Sequence, residues 1–187
     1  MESTRMRIMT EAVRLFAADG NEAVSVERIA KAVGIKAPSL YKHYRSKREI
    51  FESILREMER RDAQNAIACD VPEGTLEDMP QSYAQTTVES LVAFSRHMFR
   101  YWTEDEFAAC FRRMLTVEQY RSAEMNALYH QYLGAGPLQY TADLLGSMER
   151  ALALYGPMHL LLSAYDAAEN KDEIRRMWEE HLCAWLE

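Results

Sequence analysis

The 187-residue sequence predicts an all-α protein, with an N-terminal head of three short helices joined through a long fourth helix to a larger helical body. Three observations carry this reading. Apolar residues recur at i, i+3, i+4 and i+7 in one segment after another. No segment sustains the period-two alternation of a half-buried strand. Ser, Asp-Gly and Gly-Pro signals punctuate the apolar runs where helices start and stop. With 48% hydrophobic residues the chain has ample material for a core.

The first helix is expected from about Thr4 to Ala18, because Ile8, Ala12, Leu15 and Phe16 repeat at helical spacing and Asp19-Gly20-Asn21 stops it. Ser25 opens a second, in which Val26, Ile29, Ala30 and Val33 share one face. Gly34 can take the positive φ of a sharp turn, and Ile35 plugs that turn with an apolar side chain. Pro38 suits the first turn of a third helix, whose inward face holds Leu40 and Tyr44. At about 100° per residue, Pro38, Ser39, Tyr41 and Lys42 then point outward, with His43 on a flank. Ile8, Leu15, Phe16, Val26, Ile29, Val33 and Leu40 form the expected head core.

Ser46-Lys47-Arg48-Glu49 reads as a capping box that starts the long fourth helix. Its stripe is Phe51, Ile54, Leu55 and Met58, and it runs to about Ala68 before Asp70-Val71-Pro72-Glu73-Gly74 breaks it. This divides the chain into a head, residues 1–46, and a body, residues 47–187. In the body, helices are expected over about 80–101, from a second capping box at Thr103-Glu104-Asp105-Glu106 to Leu115, from Ser122 to Leu133, from Gly136 to about Met148, over 149–168 and over 172–185. The last carries Ile174, Met177, Trp178, His181, Leu182 and Trp185 on one face, opposite Arg175, Arg176, Glu179 and Glu180. The helix before it is apolar almost all round, through Leu152, Leu154, Tyr155, Met158, Leu160, Leu161, Leu162 and Tyr165. Two readings stand: this pair fills a monomer core, or it also meets a second subunit.

Net charge is −7, yet residues 1–61 hold thirteen Lys or Arg against nine Asp or Glu, a net of +4, and residues 62–187 a net of −11. From Arg28 through Arg48 there are seven basic residues and no acidic one. A basic run is ordinarily a solvated face, and a helix-turn-helix can be a plain packing motif. Here turn glycine, apolar spacing, acid-free window and outward aromatics agree on a DNA-binding head, with salt-sensitive affinity from released counterions.

Other classes find little support. No basic start with an apolar core opens the chain, and the longest uncharged run, Ala151 to Tyr165, falls short of the roughly 18 to 20 residues that span a bilayer. A cytoplasmic protein without membrane attachment is expected. Cys69, Cys110 and Cys183 are too few and too far apart for a disulfide framework or metal knuckle. Phosphate loops, nucleophile elbows and paired metal-binding histidines are absent from the sequence, so neither enzyme nor cofactor is expected.

The runs IAKAVGI, SLYKHY and SKREIF, in this order and spacing, resemble the DNA-binding signature of the TetR/AcrR family of transcriptional regulators. The resemblance covers about the first third of the chain and implies DNA contact at Ser25, Lys36, Ala37, Ser39, Tyr41, His43 and Lys47, beside Arg28, Pro38 and Lys42 of the same basic face. Lys36 stands where the family usually has a serine or threonine cap. Arg5 and Arg7 either reach flanking backbone or are simply solvated.

The family resemblance further implies a homodimer whose last two helices form a four-helix interface, here with Leu154, Leu161, Met177, Trp178, His181, Leu182 and Trp185. Paired heads read successive major grooves about 34 to 36 Å apart, so a palindromic operator is expected. It also implies a small-molecule effector in the helical body, with the fourth helix as mechanical link and a repressor as the usual outcome. Phe94, His97, Met98, Tyr101, Phe111, Met114, Tyr129, Tyr155 and His159 are the candidate lining; plain core is the alternative for each. The acidic body favours a cationic effector, whereas Arg96, Arg100, Arg112 and Arg113 suit an anion. The competing function is a helical sensor or carrier without sequence-specific DNA binding.

Overall fold

A computed structural model describes residues 3–186 and contains eleven helices and no strand among them. They are α1 (Thr4–Asp19), α2 (Val26–Val33), α3 (Ala37–Leu40), α4 (Lys47–Ala68), α5 (Pro80–Gln85), α6 (Val88–Glu104), α7 (Glu106–Glu118), α8 (Ala123–Tyr132), α9 (Ala135–Leu145), α10 (Met148–Ala167) and α11 (Lys171–Cys183). The chain forms two compact units: residues up to 60 with 106–129, and residues 61–105 with 130–187.

The first unit holds the expected head together with α7 and the start of α8. α1 packs against both α2 and α7. Its buried set is therefore broad: Ile8, Met9, Ala12, Val13 and Phe16. Ile29, Val33 and Leu40 are buried as expected, but Leu15 and Val26 are only half-buried. Tyr44, Ile50, Phe51, Ile54 and Met58 carry the core into α4, and Phe107, Phe111, Met114 and Leu115 supply it from α7.

The second unit is built on α10, which packs on α6, α9 and α11. Phe99 of α6 lies at its centre, stacked on Trp178 at 5.6 Å and edge-on to Tyr165 at 6.1 Å. Pro157 stands inside α10 and leaves the carbonyl four residues earlier without its N–H. That carbonyl belongs to Ala153, an exposed residue where water can replace the bond.

Three element expectations change. The single helix over 80–101 is two, because Thr87 leaves the helical conformation and its side chain caps α6 by accepting the N–H of Ser90. Thr103 caps nothing; it lies in the last turn of α6 and donates its hydroxyl to the Phe99 carbonyl. The third helix is α-helical only from Ala37 to Leu40, and tight turns to Ser39 and Leu40 continue it through Lys42 and His43.

Candidate nucleic-acid interface

The turn between α2 and α3 is closed by Gly34 at φ 78°, whose N–H donates to the Lys31 carbonyl while the Ile35 N–H donates to that of Ala30. Ser25 caps α2 by accepting the Arg28 N–H at 3.2 Å. Lys36 occupies the cap position of α3 and makes no side-chain capping bond, as a lysine without an acceptor must. Leu40 and Tyr44 are buried and hold the rear of α3. The Tyr44 hydroxyl donates to the Arg5 carbonyl, and burial raises its pKa, partly offset by the Arg5 guanidinium 4.4 Å from its ring.

That anchoring turns the other side outward. Lys36, Pro38, Tyr41 and Lys42 are exposed, Tyr41 by 48%, and Ala37, Ser39 and His43 are half-buried on the flanks. No ion pair engages Lys36 or Lys42 among the described residues. The other two cations of the candidate set are held by their own chain. Arg28 pairs with Asp19 at 2.6 Å, and the Lys47 ammonium donates to the Asn21 carbonyl at 2.6 Å.

Arg5 and Arg7 have structural partners that sequence periodicity could not show. Arg5 donates to the His43 carbonyl and Arg7 to that of Val33, each at 2.8 Å, so they tie α1 to the ends of the helix-turn-helix segments. The capping box at Ser46 forms, with one displacement: Ser46 accepts the Glu49 N–H, but Glu49 reaches back to the N–H of Arg45.

The structure separates the candidate effector residues. Phe111 and Met114 are fully buried in the first unit, where they pack its core, and Tyr129 is half-buried there. Phe94, His97, Met98, Tyr101 and Tyr155 are half-buried in the second unit, while His159 is exposed. His97 Nε2 shares a 2.9 Å hydrogen bond with Asn65 Oδ1, and the buried Asn65 Nδ2 has no partner. In the sequence Asn65 carries no signal, being one asparagine on a polar helix.

The candidate dimer residues divide in the same way. Leu154, Leu161, Trp178 and Leu182 are buried within the second unit of a single chain, because α10 and α11 pack on α6 with these faces. They are core, and only Met177 is exposed, with His181 and Trp185 half-buried. The exposed large apolar residues of α10 are Met148, at 47%, Leu152, at 58%, and Leu160, at 69%, the last two about two turns apart.

No helix among the described residues is long and apolar enough to cross a membrane, and no group of three His, Cys, Asp or Glu could hold a metal ion. Residues 8–54 match the family model described as bacterial regulatory proteins, tetR family. Over 53 residues the chain is 36% identical to the HTH-type transcriptional regulator AcrR of Shigella flexneri, covering 28% of this chain and 25% of that one. The match thus spans about a quarter of that relative's length.

Solved structures share the whole fold. SmeT, the repressor of the Stenotrophomonas maltophilia multidrug efflux pump SmeDEF, has a TM-score of 0.62 at 19% identity, over 99% of this chain and 89% of that one. Its complex with triclosan gives 0.69 at 16% identity, over 99% and 90%. Salmonella enterica GusR gives 0.58 at 25% identity, over 98% and 95%. Residues 8–54 thus carry the helix-turn-helix domain of the tetR family of bacterial regulatory proteins, within a fold that these solved structures share.

Proposed function

We propose that this protein is a dimeric DNA-binding transcriptional repressor, released from a palindromic operator when a small molecule binds its helical body. The observation that carries the reading is the third helix: Leu40 and Tyr44 anchor its rear, leaving Lys36, Pro38, Tyr41 and Lys42 facing solvent. Lysines supply charge for phosphates, and tyrosine and serine hydroxyls supply hydrogen bonds for phosphate or base edges. Selection of bound duplexes from a random library tests it. A single palindrome bound at least about a thousandfold more tightly than random DNA is expected; without any enriched sequence the protein would be a helical sensor.

For the effector, Phe94, His97, Met98, Tyr101 and Tyr155, each half-buried in the second unit, offer apolar surface, and the buried Asn65 Nδ2, which has no partner, offers a donor to a carbonyl, carboxylate or phenolic oxygen. Such a ligand is the kind that SmeT, as a complex with triclosan, holds. For the dimer, Leu152 and Leu160, with Gly156 between them, present the apolar ridge of α10 that a twin helix would cover. A Leu160→Asp variant is expected to halve the mass seen by light scattering while its helical circular dichroism stays unchanged. An unaltered mass would place the interface elsewhere.

A further inference from the structure

The carboxylate of Glu118, in the last turn of α7, is buried, with the residue only 2% exposed. Its Oε1 accepts the backbone N–H of Asn21 at 2.9 Å, and the Arg121 guanidinium stands 3.5 Å from the same oxygen. The Asn21 carbonyl in turn accepts the Lys47 ammonium at 2.6 Å, with the Glu22 carbonyl at 3.5 Å. A single peptide turn therefore separates a buried anion from the cation at the first position of α4.

Other observations show how closely this junction is built. Gly20 has φ +85°, and a Cβ there would meet Glu118 Oε1 at 2.8 Å and Arg121 Nη1 at 3.0 Å, so the turn approaches the carboxylate as only glycine allows. The side-chain Oδ1 of Asn21 is buried without a donor, so Glu118 and Lys47 hold the turn by its backbone. Beside Lys47, Arg48 makes a two-pronged bond to Glu124 at 2.7 and 2.9 Å, which ties the first turn of α8 to the same end of α4.

We propose that Glu118 is a positioning residue for DNA contact: through the Asn21 peptide it fixes where the Lys47 ammonium stands, and so the phosphate contact that Lys47 makes. The inference rests on the DNA-binding reading above. A lysine stem left free loses rotamer entropy when it is immobilised. Two carbonyls already hold this one, and a third N–H remains for a phosphate oxygen, so that cost is met on folding rather than on binding. Charge alone predicts the opposite sign, since removing an acid near the DNA face would tighten binding.

The test uses the full chain and a random-sequence duplex of about 30 base pairs at low ionic strength, with wild type, Glu118→Gln, Lys47→Ala and the double variant. Glu118→Gln is expected to weaken binding about five- to tenfold and to reduce the salt slope by about 0.9, as the loss of one phosphate contact does. In the Lys47→Ala background it should change nothing beyond about twofold. Binding by Glu118→Gln equal to or tighter than wild type, or a loss fully additive with Lys47→Ala, would overturn the proposal. Glu118→Asp, which keeps the charge and shortens its reach, carries the same comparison if the glutamine variant does not fold. A wild type that ignores duplex DNA would instead defeat the DNA-binding reading itself.

Discussion

Trp178→Ala is expected to cost about 3 to 5 kcal/mol of stability, a large part of the roughly 5 to 15 kcal/mol that holds a protein folded. The side chain is 1% exposed, stacked on Phe99 at 5.6 Å and flanked by His181 at 5.5 Å. Removing it leaves an indole-sized cavity where α6 and α11 meet, and packed helices close such a void only in part. At about 2 to 4 °C per kcal/mol for a chain of this length, the thermal midpoint should fall by roughly 6 to 20 °C. Met177→Ala, one residue away on the exposed face, should move it by no more than about 2 °C. Thermal melts followed by circular dichroism check both. If Trp178→Ala reduced the mass in solution and left the midpoint unchanged, Trp178 would be a subunit contact rather than core.

Tyr41→Ala should weaken binding to a selected operator about ten- to a hundredfold, the loss of one good base or phosphate contact, and shift stability by less than about 0.5 kcal/mol. Its ring is nearly half exposed while its neighbours hold the backbone beneath it. Tyr44→Ala provides the contrast. That ring is buried and its hydroxyl is bonded to the Arg5 carbonyl, so both folding and DNA binding should fail together. Gel-shift titration beside a melting curve separates the two outcomes. Loss of folding in Tyr41→Ala would mean that the outward face of α3 is structural.

Much of the head was legible because its signals are local. The caps at Ser25 and Ser46, the left-handed turn at Gly34 and the inward pair Leu40 and Tyr44 each depend on residues within four positions of one another. The break at Thr87 escaped notice because a threonine is tolerated inside a helix as readily as it caps one, and the choice depends on what packs beside it. Arg5 and Arg7 stay open in sequence between contact with flanking DNA and plain solvation, and Glu118 carries no signal there, since their partners at 43, 33 and 21 lie far away in sequence. In the body, an apolar stripe on α11 announced that Trp178 and Leu182 are covered but not by what.

The sequence by itself determined that the chain is all-helical, where the helix-turn-helix lies and which of its residues turn outward, because helix periodicity and capping are short-range physics. Only the tertiary structure decided which apolar faces are spent inside one chain, which leaves Leu152 and Leu160 rather than Trp178 and Leu182 at the surface. It alone brought α7 into the first unit and set a buried glutamate against the turn that holds Lys47. The reason is the same in both cases: a stripe or a charge has a local position, but its partner is chosen by how distant helices pack.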